Sequence, residues 1–241
     1  MNKALVKWTF ISLIIAFLFS SCNKKVQDNY LPKHTSEYLS KQLETAYKEN
    51  DSVRLNAFFE EWHKSVKPNT DEFIHQNKVY TAIYDIYKVF CKFKGKPMYF
   101  VVQNQIDYTV ADSEPDTIIN FRPPIEKYKV VYLTKEYREA LINFSLEKIY
   151  REKGEQVASM DLYNESNNRA LKLDHYVYIS GPGFGFAWTL ESSPVLSKIT
   201  FNKKLTQAIA LYCGNFQGGE VTFEKVKDKW VMKSMKQKYI S

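Results

Sequence analysis

The sequence predicts an α+β fold: an N-terminal helical hairpin and a central helix packed on a mainly antiparallel, curved C-terminal sheet. Three observations carry this. Apolar residues recur at helical spacing through the first half of the chain. From Asp174 onward the period falls to two, with turn signals at short intervals. No strand–helix alternation of the doubly wound kind runs through the chain, and no internal repeat is present.

Taken in order, residues 22–34 are polar, contain Pro32 and hold no period, which reads as a tether. The first helix is expected over Ser36 to Lys48, with Leu39, Leu43, Ala46 and Tyr47 on one face; Asn50 stops it and Asp51 caps the next. The second helix carries Leu55, Phe58, Phe59, Trp62 and Val66 as one apolar stripe, closed by Lys67-Pro68-Asn69. A third, from Thr70 to about Phe93, is apolar over most of its circumference and must be covered on more than one side, so it is the expected central helix.

Strand formers follow from Met98 to Val110, then an acidic turn from Asp112 to Asp116. A short strand from Ile118 to Phe121, the rigid bend Arg122-Pro123-Pro124 and a strand from Lys129 to Leu133 come next. Thr134 is expected to cap a helix presenting Tyr137, Ala140, Leu141 and Phe144; residues 147–172 read as one or two further helices. The meander strands are expected at Tyr176–Ser180, Phe184–Leu190, Val195–Phe201, Gln207–Cys213, Val221–Lys227 and Lys229–Lys236. The folded domain therefore spans 35–241: helical over 35–95, mixed over 96–173 and a β-meander over 174–241.

The extreme N-terminus reads differently. Lys3 and Lys7 precede an apolar run from Phe10 to Phe19 too short to span a bilayer, and Ser20-Ser21 lead into Cys22. The Phe19-Ser20-Ser21-Cys22 stretch resembles the lipobox of Gram-negative lipoproteins, with Phe19 where Leu is usual. That resemblance implies removal of residues 1–21, and diacylglycerol plus a fatty acyl chain of the palmitate type on Cys22. Two or more acyl chains make membrane release negligible. Asn23-Lys24-Lys25 carry no acidic export cluster, so the expected place is the cell envelope, lipid-anchored at the outer membrane and facing the periplasm.

With Lys3 and Lys7 removed, the formal charge falls from +7 to +5. In that compartment nucleic acid is not an expected partner. Lys24, Lys25, Lys33, Lys92, Lys94, Lys96, Lys203 and Lys204 are read as facing water or lipid phosphates. Cys91 and Cys213 sit in no metal-type spacing and read as two core thiols, a disulfide between them being the alternative.

The order Ile199-Thr-Phe-Asn-Lys-Lys, Ala208-Ile-Ala-Leu-Tyr, Gly218-Gly219-Glu220, Glu224-Lys225, Lys229-Trp230-Val231 and Tyr239-Ile240-Ser241 resembles the last strands of a group of uncharacterised Gram-negative lipoproteins. Phe121-Arg122-Pro123-Pro124 and Tyr132-Leu133-Thr134 extend the likeness upstream. The resemblance implies a fold more than an activity. This chain has Gly183-Phe184 where such relatives carry a His-Trp pair.

The glycine loop Gly181-Pro182-Gly183-Phe184-Gly185 lacks the following helix a phosphate cradle needs. Its alternating Phe184, Phe186 and Trp188 form either an aromatic binding wall or core. Glu60-x-x-His63 and Glu72-x-x-His75 have di-metal spacing but lie off the apolar faces, so no metal is expected. Asp112-x-Glu114-x-Asp116 lacks the glycine and terminal glutamate of a calcium loop. Asp174-His175 with Ser180 lacks a nucleophile elbow, and Arg122 is stiffly placed beside two prolines, suited to a carboxylate. No catalytic residue and no cofactor are assigned. Trp188, Phe184, Phe186, Arg122 and His175 stand as ligand-binding candidates. The expected function is a non-catalytic module binding an envelope protein, glycan or lipid; the alternative is a hydrolase- or isomerase-like enzyme with a pocket between the curved sheet and a helix.

Overall fold

The computed structural model describes residues 35–92, 97–111, 116–146, 149, 160–180, 189–190, 195–214 and 217–240. These form an α+β fold. The segment expected to be lipidated at Cys22, the expected tether, and Phe184, Phe186 and Trp188 lie outside the described residues. Among the described residues no helix is long and apolar enough to cross a membrane.

Helix α1 (Ser36–Lys48) starts at Thr35, whose hydroxyl accepts the Tyr38 amide, and buries Leu39, Leu43 and Ala46. Asn50 takes a left-handed turn at φ 53, which Asn tolerates. Asp51 then caps α2 (Ser52–Ser65) by accepting the Arg54 amide. The stripe of α2 is buried as its spacing demands, Val66 closing it at the C-cap.

The expected third helix breaks in two. A short α3 (Asp71–His75) is capped by Thr70, and α4 (Lys78–Phe90) is capped anew by Asn77, whose side chain accepts the Tyr80 amide. The polar Gln76-Asn77 pair supplies the stop and the new cap, because an Asn side chain competes for the backbone donors a continuous helix would use. Ile74, rather than Phe73, is the residue α3 buries.

The run from Met98 to Val110 also divides. Strand β1 (Phe100–Gln103) pairs in parallel with β4 (Val130–Leu133), whereas β2 (Gln105–Val110) joins a six-stranded sheet. The Gln103 amide replaces a strand partner at the division. Its Oε1 accepts the Leu196 N–H (2.7 Å), and its Nε2 donates to the carbonyls of Leu196 and Gln105 (both 2.8 Å). Helix α5 (Lys135–Phe144) buries Tyr137, Ala140, Leu141 and Phe144 as expected. Thr134, however, gives its side chain to Glu136 instead of capping α5. Helix α6 (Met160–Asp174) is the helix of the polar stretch.

The large sheet runs β10–β9–β8–β7–β2–β3, with β3 Thr117–Asn120, β7 Val195–Phe201, β8 Gln207–Gly214, β9 Gln217–Val226 and β10 Lys229–Ile240. Strands β7 to β10 are an antiparallel meander; β2 meets β7 in parallel and β3 in antiparallel sense. Of the expected Tyr176–Ser180 strand only Ile179–Ser180 (β5) is extended, paired with Thr189–Leu190 (β6), because Tyr176 and Val177 turn back to bond the Leu173 carbonyl at the end of α6.

The C-terminal motifs have physical reasons. Asn202 accepts the Thr206 and Gln207 amides and builds the β7–β8 turn. Gly218 and Gly219, which fall between the expected strands Gln207–Cys213 and Val221–Lys227, lie within β9: a Cβ on Gly219 would stand 2.0 Å from the Lys236 carbonyl oxygen, so only glycine allows the strands to meet there. Register shifts in β10 between Met232 and Ser234 and between Gln237 and Tyr239 skip Lys233 and Lys238. These two lysines pair with Glu224 (3.2 Å) and Glu220 (2.5 Å) of β9. Lysines and irregularities of this kind also guard an open sheet edge. Trp230 is buried against Phe201, ring centroids 5.9 Å apart.

Candidate functional site

Helix α4 lies over one face of the six-stranded sheet. Phe90 packs on Tyr212 and Phe223, and Tyr80 meets Tyr108 edge-on. Burial raises the pKa of the Tyr80 hydroxyl, with Tyr108 adding to it. Tyr84 and Tyr87 close on Phe121. The space between helix and sheet is thus filled with rings.

The opposite face is left open by the described residues. Alternation along β8 puts Ala208, Ala210 and Tyr212 inside, and Ile209 and Leu211 outside, where they remain 49% and 40% exposed. Directly paired residues share a face, so the row through Leu211 reads Ile118, Asp107, Lys198, Leu211, Glu220, Lys236 from β3 to β10. Ile118, at the β3 edge, is 63% exposed. The next row reads Thr109, Thr200, Ile209, Thr222, Ser234. Beside these rows, Lys198 also pairs with Asp116 (2.6 Å), which accepts from Thr109 as well. An apolar spine on the central strand, flanked by alternating charges, is an arrangement suited to contact with another surface.

A second cluster sits where α2 crosses β1 and β4. Glu60 Oε1 accepts from the Tyr99 hydroxyl (2.5 Å) and from Lys129 Nζ (2.5 Å), and Lys64 stands 3.6 Å from Oε2. Lys129 and Tyr99 hold the Glu60 carboxyl down to about 2. Burial, reinforced by Glu60, pushes the Tyr99 hydroxyl well above its ordinary range. His63 Nδ1 donates to the Val130 carbonyl (2.6 Å). The Glu60 carboxylate, the Tyr99 hydroxyl and the His63 hydrogen bond to the backbone together tie α2 to the segment that opens β4. Below it lies a ring stack: Tyr176 on Phe59 (4.7 Å), Phe59 on Trp62 (6.0 Å), Trp62 on Tyr137 (4.3 Å). Trp62 Nε1 donates to the Tyr132 carbonyl (3.0 Å).

The third cluster surrounds Arg169 of α6, whose side chain is 7% exposed. Its guanidinium takes Glu44 through two nitrogens (2.5 and 3.1 Å), Glu165 (2.9 Å) and the Phe144 carbonyl (3.2 Å), and stacks on Tyr47 and Phe144. Arg169 in turn holds the Glu44 carboxyl below its usual range.

Of the sequence candidates, Arg122 is buried at 3% exposure. Its backbone exchanges two hydrogen bonds with Asn69, N–H to Oδ1 (2.5 Å) and carbonyl from the Asn69 amide (2.8 Å). These bonds brace the segment after α2 against the segment after β3. His175 is exposed in the turn after α6, edge-on to Tyr176. Glu60 and His63 face β1 and β4 in place of open solvent, and His75 approaches Thr81 (3.2 Å). Among the described residues no three His, Cys, Asp or Glu side chains gather as a metal site. Cys91 and Cys213 are separate thiols, half-buried rather than in the core; burial raises the pKa of the Cys213 thiol. The open face is not legible in the sequence, where Ile209 and Leu211 read simply as strand formers; only the sheet register sets Leu211 between Lys198 and Glu220 and Ile209 between Thr200 and Thr222. No protein-family model, curated protein or solved structure matches the chain.

Proposed function

We propose that the chain is a non-catalytic interaction module of the cell envelope, tethered to membrane by acyl chains on Cys22, which binds a macromolecular partner through the open face of its six-stranded sheet. The observation that carries this reading is the pair Ile209 and Leu211, exposed side by side on the central strand of a sheet whose other face is packed at that strand by Ala208, Ala210 and Tyr212. Covering these half-exposed aliphatic side chains would gain on the order of 1 kcal/mol each, so their placement suits a face that is covered in use. Glu60, with its carboxyl pinned near 2, and Arg169, locked between two glutamates, suit structural rather than proton-transfer roles.

The test has two arms. Mass spectrometry of the purified protein should find an acylated Cys22 and no residues 1–21; an unmodified thiol would remove the tether. Affinity capture of the lipidated protein from its own envelope should recover a reproducible partner that an Ile209→Lys/Leu211→Lys variant, still folded by circular dichroism, fails to recover. Equal recovery by both proteins would move the function off this face.

A further inference from the structure

We infer that the open sheet face pairs with the same face of a second copy of this chain, through a two-fold axis lying along β8. The inference deepens the reading of that face as a binding surface and rests on it. The argument is charge complementarity. With β8 at the centre, the row on one side runs Lys198 then Asp107, and on the other side Glu220 then Lys236. The pattern is antisymmetric about Leu211: each step outward meets a lysine on one side and a carboxylate on the other.

Under a two-fold axis along β8, β7 lies over β9 of the second copy and β2 over its β10. Lys198 then faces Glu220, Asp107 faces Lys236, and both contacts occur twice, as an isologous interface requires. Ile209 and Leu211 meet their own counterparts on the axis, and Thr200 faces Thr222. Including the neighbouring ion pairs does not upset the match. Asp107 and Asp116 against Lys198 leave one negative charge on the β2–β7 side, and Lys233, Lys236 and Lys238 against Glu220 and Glu224 leave one positive charge on the β9–β10 side. A two-fold axis across the strands would instead set Asp107 on Asp107 and Lys198 on Lys198, which like-charge repulsion disfavours. The charge order therefore selects one of the two ways to stack the faces.

Sheets packed face to face stand about 10 Å apart, a gap that a lysine and a carboxylate span together. With about 4.8 Å between strands and about 3.3 Å per residue, the face covers roughly 500 Å². Two copies would bury on the order of 1,000 Å², the lower end for a specific interface. The expected association is reversible and weak.

Sedimentation velocity of the full chain in mild detergent, across the micromolar range, tests this. The parent should show a concentration-dependent monomer–dimer equilibrium. Asp107→Lys places two lysines face to face and Lys236→Asp two carboxylates; each variant alone should dissociate at least about tenfold more readily. An equimolar mixture of the two restores both opposite-charge contacts and should recover association. A parent that stays monomeric, or a mixture no better than either variant alone, overturns the inference. If the parent is monomeric but Ile209→Lys/Leu211→Lys still abolishes capture of an envelope partner, the face binds another molecule and only the self-pairing fails. If that variant changes neither measurement, both readings fail.

Discussion

Helices α4 and α6 are held by opposite physics. α4 buries Ala82, Ile83, Tyr84, Ile86, Tyr87 and Phe90. α6 buries only Ser166, Arg169 and Leu173 along 15 residues. Its attachments are polar: Arg169 to Glu44, the Ser166 hydroxyl to the Ser145 carbonyl (2.9 Å), the Tyr47 hydroxyl to Glu165 (3.1 Å) and Lys172 to Asn50 (2.5 Å). Apolar burial is indifferent to pH and weakly affected by salt, whereas ion pairs with half-exposed partners respond to both. The two helices should therefore part company when the solution changes, α6 loosening while α4 and the sheet remain.

The largest expected effect tests the apolar side. Ile86→Ala, at a fully buried position, should lower global stability by roughly 3 kcal/mol, shifting the urea midpoint with little change in slope. Arg169→Met tests the polar side. Methionine keeps much of the volume but takes the buried cation from Glu165 and leaves Glu44 only the exposed Lys48; both carboxylates are partly exposed, so a loss of about 2 kcal/mol is expected. Hydrogen exchange should show that loss in residues 160–174 and leave α4 protected. Equal deprotection of both helices would erase the distinction.

Acid provides a gentler separation. The Glu44 carboxyl titrates below its unfolded value of 4.5, chiefly through its hydrogen bonds to Arg169. A depressed carboxyl contributes stability that is complete above 4.5 and is lost as pH falls through the folded-state value. Lowering pH below 4.5 should thus release α6 protection first, and Glu44→Gln should flatten that response. The smallest effect lies far from both helices. Lys227 and Asp228 both adopt positive φ, 48° and 62°, in the two-residue β9–β10 turn. Asp228→Gly should raise the thermal midpoint slightly, by about 0.5 kcal/mol or less of stability, and add independently to the other changes.

The same contrast governs what could be read from the chain. The boundaries of α1 and β7, the buried stripe of α2, the buried face of α5 and the meander order follow from local spacing and capping, since each depends on residues within a turn or two. The division of Met98–Val110 does not, because Gln103 acts through Leu196, 93 residues away in the chain. Nor does the role of Gly219, whose need for glycine comes from the Lys236 carbonyl on the next strand. Arg169 looks like any charged residue of a polar stretch until Glu44 and Phe144 arrive around it. Helical geometry sets Glu60 and His63 off the apolar stripe, but it says nothing of Tyr99, Lys129 and Val130, which meet them from distant parts of the chain.

By itself the sequence determined the fold class, most helices, the meander and the apolar positions, because periodicity, caps and turn residues act over a few bonds and need no distant partner. The tertiary structure alone decided which face of the sheet stays open, which charges stand in one row across six strands, and which buried polar groups are satisfied. Those properties exist only once residues far apart in the chain are brought within a few ångströms, where Coulomb attraction and excluded volume act on space and ignore sequence order.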